Sequence, residues 1–319
     1  MLSKSTRIYV AGHLGLVGSA LARALRARGY ENVIGRTHAE LDLKDQGAVR
    51  EFFRAERPEV VGLAAAKVGG ILANNTYPAE FIQDNLAIQT NVIHEAWRSG
   101  VKRLLFLGSS CIYPRDCPQP IREQYVMTGP LEPTNRPYAM AKLAGLEMCW
   151  AYNRQYGTQY ICAMPTNLYG PGDNYDPETS HVLPALIRKF HDAKTSGRKT
   201  VALWGTGRPR REFLYSDDMA EACVMLMECP IERMQEMLPQ GEAPLVNIGS
   251  GEDQTIRELS EIVRDAVGCA AETTWDATKP DGTPRKLLDI SRIRGIGWKQ
   301  RIPLRRGIEL AYSDFLASQ

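Results

Sequence analysis

The chain predicts an α/β fold: a doubly wound parallel sheet with a smaller, interleaved C-terminal region. Three observations carry this. Over the first 170 residues, short apolar runs alternate with stretches of helical apolar spacing, as expected for strands joined by crossover helices. A glycine-rich turn separates the first apolar run from the first helical stretch. After Pro165 the texture changes, with glycine and proline frequent in Gly170-Pro171-Gly172, Pro177 and Pro184.

In chain order, Arg7-Ile8-Tyr9-Val10-Ala11 reads as the first strand. Residues 16–28 have helical spacing and stop at Gly29, a residue suited to the left-handed turn that ends helices. Strands follow at 32–35 and 60–64, then a long helix over 78–99. Leu104-Leu105-Phe106-Leu107 is a continuous apolar run, the mark of a strand covered on both faces. A helix over 137–156 and a strand over 160–164 complete this part. The runs 213–228 and 245–249 are expected to return to the first sheet. The expected organisation is therefore a nucleotide-binding region of residues 1–170 with returning segments at 213–250. Residues 171–212 and 251–319 form the substrate region.

Composition narrows the function. Of 319 residues, 39 are Lys or Arg and 37 Asp or Glu, a net charge of +2, too close to neutral for a nucleic-acid partner. Arg208-Pro209-Arg210-Arg211 is a local basic cluster suited to a phosphorylated small molecule. No run approaches the roughly 20 apolar residues that span a bilayer, and residues 1–7 lack a signal-peptide core, so no membrane partner is expected. Seven cysteines without C-x-x-C spacing argue against a disulfide framework or a zinc site and for a reducing cytoplasm. Of these, Cys149, Cys162, Cys223, Cys229 and Cys269 read as structural.

Gly12-His13-Leu14-Gly15-Leu16-Val17-Gly18 has G-x-x-G-x-x-G spacing. Glycines there permit a tight turn and close approach of backbone to a pyrophosphate, which the free amides of a helix N-terminus then bind. Glycine spacing alone also fits a plain turn, but this one sits between a strand pattern and a helix pattern, the context of a Rossmann dinucleotide site. NAD enzymes place an acidic residue at the end of the second strand. This chain has Arg36-Thr37-His38, and a guanidinium matches a 2′-phosphate, so NADP is expected. Asp42, just beyond, is a candidate for the adenine side.

Tyr138-Ala139-Met140-Ala141-Lys142 is a Y-x-x-x-K pattern whose spacing puts both side chains on one helix face. A nearby ammonium favours a phenolate and lowers the tyrosine from its reference near 10, making Tyr138 a usable acid or base. Such a pair is common by chance on a helix surface. Ser109-Ser110 just past the buried fourth strand makes the set less common, because ligands of open α/β sheets bind at the carboxyl ends of strands.

The glycine turn, the serine and the Y-x-x-x-K pattern together resemble the extended short-chain dehydrogenase/reductases. Longer strings sharpen this. Ala64-Ala65-Ala66-Lys67-Val68-Gly69-Gly70-Ile71, Asn74-Asn75-Thr76-Tyr77-Pro78, Leu107-Gly108-Ser109-Ser110-Cys111-Ile112-Tyr113-Pro114, Met164-Pro165-Thr166-Asn167-Leu168-Tyr169-Gly170-Pro171 and the segment 279–286 resemble the GDP-L-fucose synthase family. The similarity runs nearly the whole chain. It implies epimerisation at C3 and C5 of GDP-4-keto-6-deoxymannose and reduction of the C4 ketone with NADPH.

By motif position the resemblance makes Cys111 the base and His181 the acid. Ser109, Tyr138 and Lys142 hold the C4 oxygen. It places Gly12, Gly15, Leu16, Val17, Gly18, Arg36, Asp42, Leu107, Lys142, Pro165, Asn167, Leu168 and His181 around the cofactor. Asn167, Lys189, Trp204, Arg211 and Asp281 fall around the nucleotide sugar. A homodimer through the helices near 80–99 and 137–156 is implied as well. A cysteine after a buried strand is more often core, but Cys111 lies two residues beyond Ser109. His181 without the resemblance reads as a cap, while His13, His38, His94 and His191 carry no argument. Leu14 departs from the family pattern, which often has arginine there, so Arg36 meets a 2′-phosphate with less help.

Two other readings stand beside this one. An NAD-retaining sugar-nucleotide 4-epimerase or 4,6-dehydratase shares the scaffold, yet Arg36 and the missing Asp-Glu pair after Ser110 speak against it. A catalytically silent NADP-binding regulator is the second, although all five catalytic candidates are present.

Overall fold

The computed structural model describes residues 2–177, 179–238, 241–279 and 281–319. In chain order the strands are β1 (Ile8–Ala11), β2 (Val33–Ile34), β3 (Val60–Leu63), β4 (Arg103–Leu107), β5 (Gln159–Pro165), β6 (Asn167–Tyr169), β7 (Thr200–Trp204), β8 (Arg210–Tyr215), β9 (Leu245–Ile248), β10 (Asp253–Thr255), β11 (Glu272–Asp276) and β12 (Arg285–Lys286). The helices are α1 (Leu16–Ala27), α2 (Gln46–Glu56), α3 (Ile71–Thr76), α4 (Pro78–Arg98), α5 (Arg136–Tyr156), α6 (Val182–Ser196), α7 (Ser216–Glu228), α8 (Ile231–Met237), α9 (Ile256–Val267), α10 (Ser291–Gly295) and α11 (Leu304–Ala317).

Six strands form one parallel sheet in the order β2-β1-β3-β4-β5-β9. Strands β1, β3 and β9 are buried end to end and β4 from Leu104 on because helices cover them, which is why the sequence shows continuous apolar runs there rather than alternation. Helix α1 packs beside α7, and α4 packs against α5 and α2. Local chemistry sets the helix ends: Asp45 caps α2 through the Ala48 amide. Gly157 closes α5 at φ +65°, where a glycine adopts the left-handed turn at no steric cost.

The remaining strands make a four-stranded group around β8, with β6, β10 and β12 as its neighbours, and a parallel β7–β11 pair. A second apolar cluster, including Leu186, Phe190, Leu203, Val263 and Phe315, lies under them.

One expectation fails here. The run Phe213-Leu214-Tyr215, expected to return to the first sheet, belongs to β8 and pairs with β6 instead. An apolar run reports burial, and burial is equal in the two clusters, so the pattern could not tell which sheet receives it. Of that span, α7, which follows the run, and β9 go back to the six-stranded sheet, and Leu214 of the run joins its apolar cluster.

The two sets of strands meet at Glu212. Its fully buried carboxylate accepts hydrogen bonds from the amides of Gly251 at 2.6 Å and Leu288 at 3.1 Å. Its carbonyl oxygen accepts from Thr166 Oγ1 at 3.1 Å and Asn167 Nδ2 at 2.8 Å.

Candidate active site

At the carboxyl end of β1 the backbone turns at Gly12, φ +81°, where a Cβ would lie 2.7 Å from the Ala65 nitrogen. A Cβ on Gly18 would collide with the Gly12 carbonyl, so α1 approaches β1 only without a side chain there. Gly15 is different. A Cβ on it would meet only the Gly12 oxygen, at 3.5 Å. Gly15 is the N-cap of α1, with no side-chain cap and no acidic residue in the first turn. The leading amides of Leu16, Val17 and Gly18 have no helical partner. An uncapped, acid-free helix start behind a bare glycine fits a pyrophosphate.

Arg36 follows β2 and is half-buried. It donates to the Gly35 carbonyl at 2.8 Å, pairs with Glu56, and lies 5.6 Å from the Phe52 ring centre. A 2′-phosphate there would share the guanidinium with Glu56. Leu14 stands 68% exposed on the glycine turn, adding no charge. Asp42 Oδ1 accepts from the Lys44 amide at 2.9 Å, so its carboxylate is engaged in its own turn.

At the end of β4, Ser109 takes extended geometry and its Oγ accepts from the Cys111 amide at 3.2 Å, starting a short helical turn over Ser110–Ile112. Tyr138, in the first turn of α5, lies close enough to Ser109 for the serine hydroxyl to act on it and meets Phe81 edge-on at 6.3 Å. Lys142, one turn on, is buried. Its Nζ donates to the Leu107 carbonyl at 2.8 Å and lies 4.8 Å from the Phe106 ring centre and 5.9 Å from that of Tyr138.

The electrostatics depart from the sequence expectation. Burial pushes Tyr138 well above the ordinary phenol value, with the neighbouring Cys111 adding to it and Ser109 opposing it. Burial also pushes Lys142 down to about 8. Desolvation of both buried groups outweighs the attraction that helical spacing implied, and the Lys142 ammonium donates to the Leu107 carbonyl.

Cys111 is half-buried, and its Sγ has two donors. Asn135 Nδ2 lies 3.3 Å away and Lys286 Nζ 3.7 Å away. Beside it is a cavity of ≈ 30 Å³ lined by Cys111, Gln119, Glu132, Asn135, Thr283 and Lys286 among others.

His181 enters from another element, as the N-cap of α6. Solvent reaches it, yet the surrounding protein pushes its pKa down. The Val68-Gly69-Gly70 segment shapes this wall. The Gly70 amide donates to the Thr179 carbonyl at 3.1 Å, and a Cβ on Gly70 would lie 2.9 Å from the Ser180 oxygen. Asn74 Nδ2 donates to the carbonyls of Gly69 at 2.8 Å and Gly70 at 3.0 Å. Gly69 also leaves room for Phe81, which in turn abuts Tyr138. The glycine pair thus connects the two catalytic candidates through packing.

Pro165 ends β5, and Asn167 and Leu168 begin β6. Farther out, Lys189 Nζ lies 5.9 Å from the Trp204 ring centre and Lys279 Nζ 5.5 Å from it, with Trp204 59% exposed. Burial pushes both Lys189 and Arg211 down. Asp281 is placed otherwise than as a free ligand group. Its oxygens accept from Thr206 N at 2.7 Å and Thr206 Oγ1 at 2.8 Å, holding the Gly205-Thr206 turn. Sequence reading named no role for Asn135, Glu132, Lys279 or Lys286. The last two stand in the 279–286 string, which was the one signal available.

The model of the NAD dependent epimerase/dehydratase family matches residues 8–237. GDP-L-fucose synthase 1 of Arabidopsis thaliana is 55% identical over 99% of this chain and 95% of its own length. A GDP-6-OMe-4-keto-L-xylo-heptose reductase from C. jejuni superposes with a TM-score of 0.94 at 37% identity, covering 100% of this chain and 99% of that one. A GDP-L-fucose synthetase from Naegleria fowleri bound to NADP superposes at a TM-score of 0.88 and 25% identity, covering 100% and 96%. With the family model matching most of the chain and the identity running over nearly its full length, the chain belongs to the NAD dependent epimerase/dehydratase family and, within it, to the GDP-L-fucose synthases.

Proposed function

We propose that the chain converts GDP-4-keto-6-deoxy-D-mannose to GDP-L-fucose, inverting C3 and C5 and reducing the C4 ketone with NADPH. One observation carries the reading: Cys111 lies against Ser109 and Tyr138, its amide hydrogen-bonded to Ser109 Oγ and its side chain close enough to perturb Tyr138. A carbon base and an oxygen acid beside one another suit a substrate whose reacting carbons flank its carbonyl.

Ser109 and Tyr138 hold the C4 oxygen. A hydrogen bond there stabilises the enolate that forms when a neighbouring carbon loses its proton. Cys111 takes that proton from one face, and His181 returns one from the other. Desolvation by the surrounding protein lowers the His181 pKa, which makes its protonated form a stronger acid. NADPH, when bound, supplies the hydride for C4. Tyr138 then gives the oxygen its proton, and its raised pKa keeps that proton in place until charge develops. Lys142 orients the tyrosine from beneath. Leu16, Val17 and Gly18 receive the pyrophosphate, Arg36 the 2′-phosphate, and Asp42 lies on the adenine side. Leu107, Pro165 and Leu168 border the nicotinamide.

Residues 171–212 and 251–319 carry the GDP-sugar, with Lys189 and Arg211 toward the diphosphate, Trp204 beside the base, and Asn167 near the sugar. Asp281 supports this end by fixing the turn after Trp204. The assembly is a homodimer through α4 and α5, whose Trp97, Tyr152 and Tyr156 form an aromatic cluster, with Trp97 and Tyr156 stacked at 4.3 Å. Among the described residues no helix is long and apolar enough to cross a membrane. All seven cysteines are unpaired, which supports a reducing cytoplasm.

The test is NADPH oxidation with GDP-4-keto-6-deoxymannose, with the product identified by NMR. GDP-L-fucose is expected. Oxidation with C3 and C5 unchanged would reduce the chain to a simple 4-reductase. Sedimentation as a stable monomer at micromolar concentration would remove the dimer.

A further inference from the structure

We propose that Lys286 is a positioning residue for epimerisation: with Asn135, it holds Cys111 as a thiolate aimed into the site. This rests on Cys111 being the carbon base. The first ground is the character of the partners. Lys286 Nζ and Asn135 Nδ2 approach one sulfur at 3.7 and 3.3 Å, and an ammonium has no acceptor while Asn135 turns its donor inward. The other amide atom, Asn135 Oδ1, is buried with no partner of its own. Both contacts present donors to the sulfur, and a thiolate accepts such donors far more strongly than a thiol does.

The second ground is strand register. Parallel pairing sets Arg285 beside Arg210 and Lys286 beside Arg211, so each pair projects from one face of the sheet. Asp253 neutralises the first pair, accepting from Arg210 Nε at 2.9 Å and from Arg285 Nε. That clamp also fixes β12, only two residues long, against β8. The second pair turns toward Cys111, which interacts with Arg211 as well. Like charges side by side are unfavourable; Cys111, Glu132 and Asp281 are the groups whose negative charge would relieve Arg211, and of these the Cys111 sulfur is the one in hydrogen-bond contact with Lys286. The other ionisable groups facing Cys111 are Tyr138, neutral, and Glu132, whose charge is offset by Arg115 at 3.5 Å.

The third ground is the reaction. Each inversion breaks a C–H bond, leaves the electron pair in the enolate and forms an S–H bond at Cys111. Two inversions use the same sulfur twice, so its proton must be lost to solvent in between. A fixed cation favours that loss, and the adjoining cavity of ≈ 30 Å³ has room for water to receive the proton.

The test is iodoacetamide alkylation of Cys111 against pH, read by peptide mass spectrometry on the full chain, with glutathione in the same mixture as reference. K286M is expected to move the Cys111 midpoint up by about one pH unit or more, with K286R restoring most of it. Solvent deuterium uptake at C3 and C5 near pH 7 should fall about tenfold in K286M and recover as pH rises. An unmoved Cys111 midpoint overturns the proposal. If K286M does not fold, the midpoint of K286Q decides in the same way. Normal deuterium uptake in C111S would instead overturn Cys111 as the base, and the alkylation midpoint would still decide the Lys286–Cys111 pairing.

Discussion

The Lys142 ammonium is hydrogen-bonded to the Leu107 carbonyl oxygen, at the end of the strand that carries Ser109. That bond places a cation inside the protein, and burial lowers its pKa from 10.5 to about 8. Between these values the unfolded chain binds a proton that the folded one does not. Stability therefore rises with pH through that window, and the full penalty, on the order of 3 kcal/mol, is present below about pH 8. Lys142→Met removes it. The stability of the variant relative to wild type, measured by thermal melting without cofactor, should be flat below pH 8 and fall by a few degrees toward pH 10.5. A difference independent of pH would show that the lysine is not strained by burial.

Cys111→Ser should slow solvent deuterium entry at C3 and C5 by about 10²-fold or more, since a serine hydroxyl is a far poorer base. NADPH affinity should stay within about twofold, because Cys111 lies outside the α1 cradle. Mass spectrometry of substrate recovered from D₂O measures the first, and fluorescence titration the second.

Arg36 shares its guanidinium with Glu56, and Leu14 adds no second charge. Arg36→Ala should weaken NADPH by about tenfold or more and leave NADH nearly unchanged. Leu14→Arg should tighten NADPH several-fold through a second cation near the 2′-phosphate. Dissociation constants for the two cofactors with each variant check this, and equal effects on both would dismiss the assignment.

A Cβ on Gly249 would run into the Glu212 carboxylate. Gly249→Ala should cost about 2–4 kcal/mol in denaturant unfolding, because a buried carboxylate with fixed amide donors has nowhere to retreat.

Much of this was legible in the sequence, for physical reasons. The 104–107 run announced a covered strand because both its faces are apolar, and the helices at 78–99 and 137–156 lie within a residue of α4 and α5. The glycine spacing announced the cradle because Gly12 and Gly18 admit no side chain. What stayed hidden was of two kinds. Burial without alternation could not assign 213–215 to a sheet. Nor could spacing reveal that Lys142 would turn to Leu107, or that Lys286, 175 residues from Cys111 in the chain, would reach its sulfur. Contacts set by β8–β12 register leave no local mark.

Glu212 has a mechanical consequence. One rigid carboxylate is clamped by amides from the segments that leave β9 and β12, and its own carbonyl binds the link from β5 to β6. The wall that carries Arg211 and Lys286 is thereby riveted to the floor that carries Ser109. Bending about that joint would strip a buried anion of its donors, so breathing of the cleft is confined to its outer lip, where Trp204 and the Gly205-Thr206 turn stand free of the rivet.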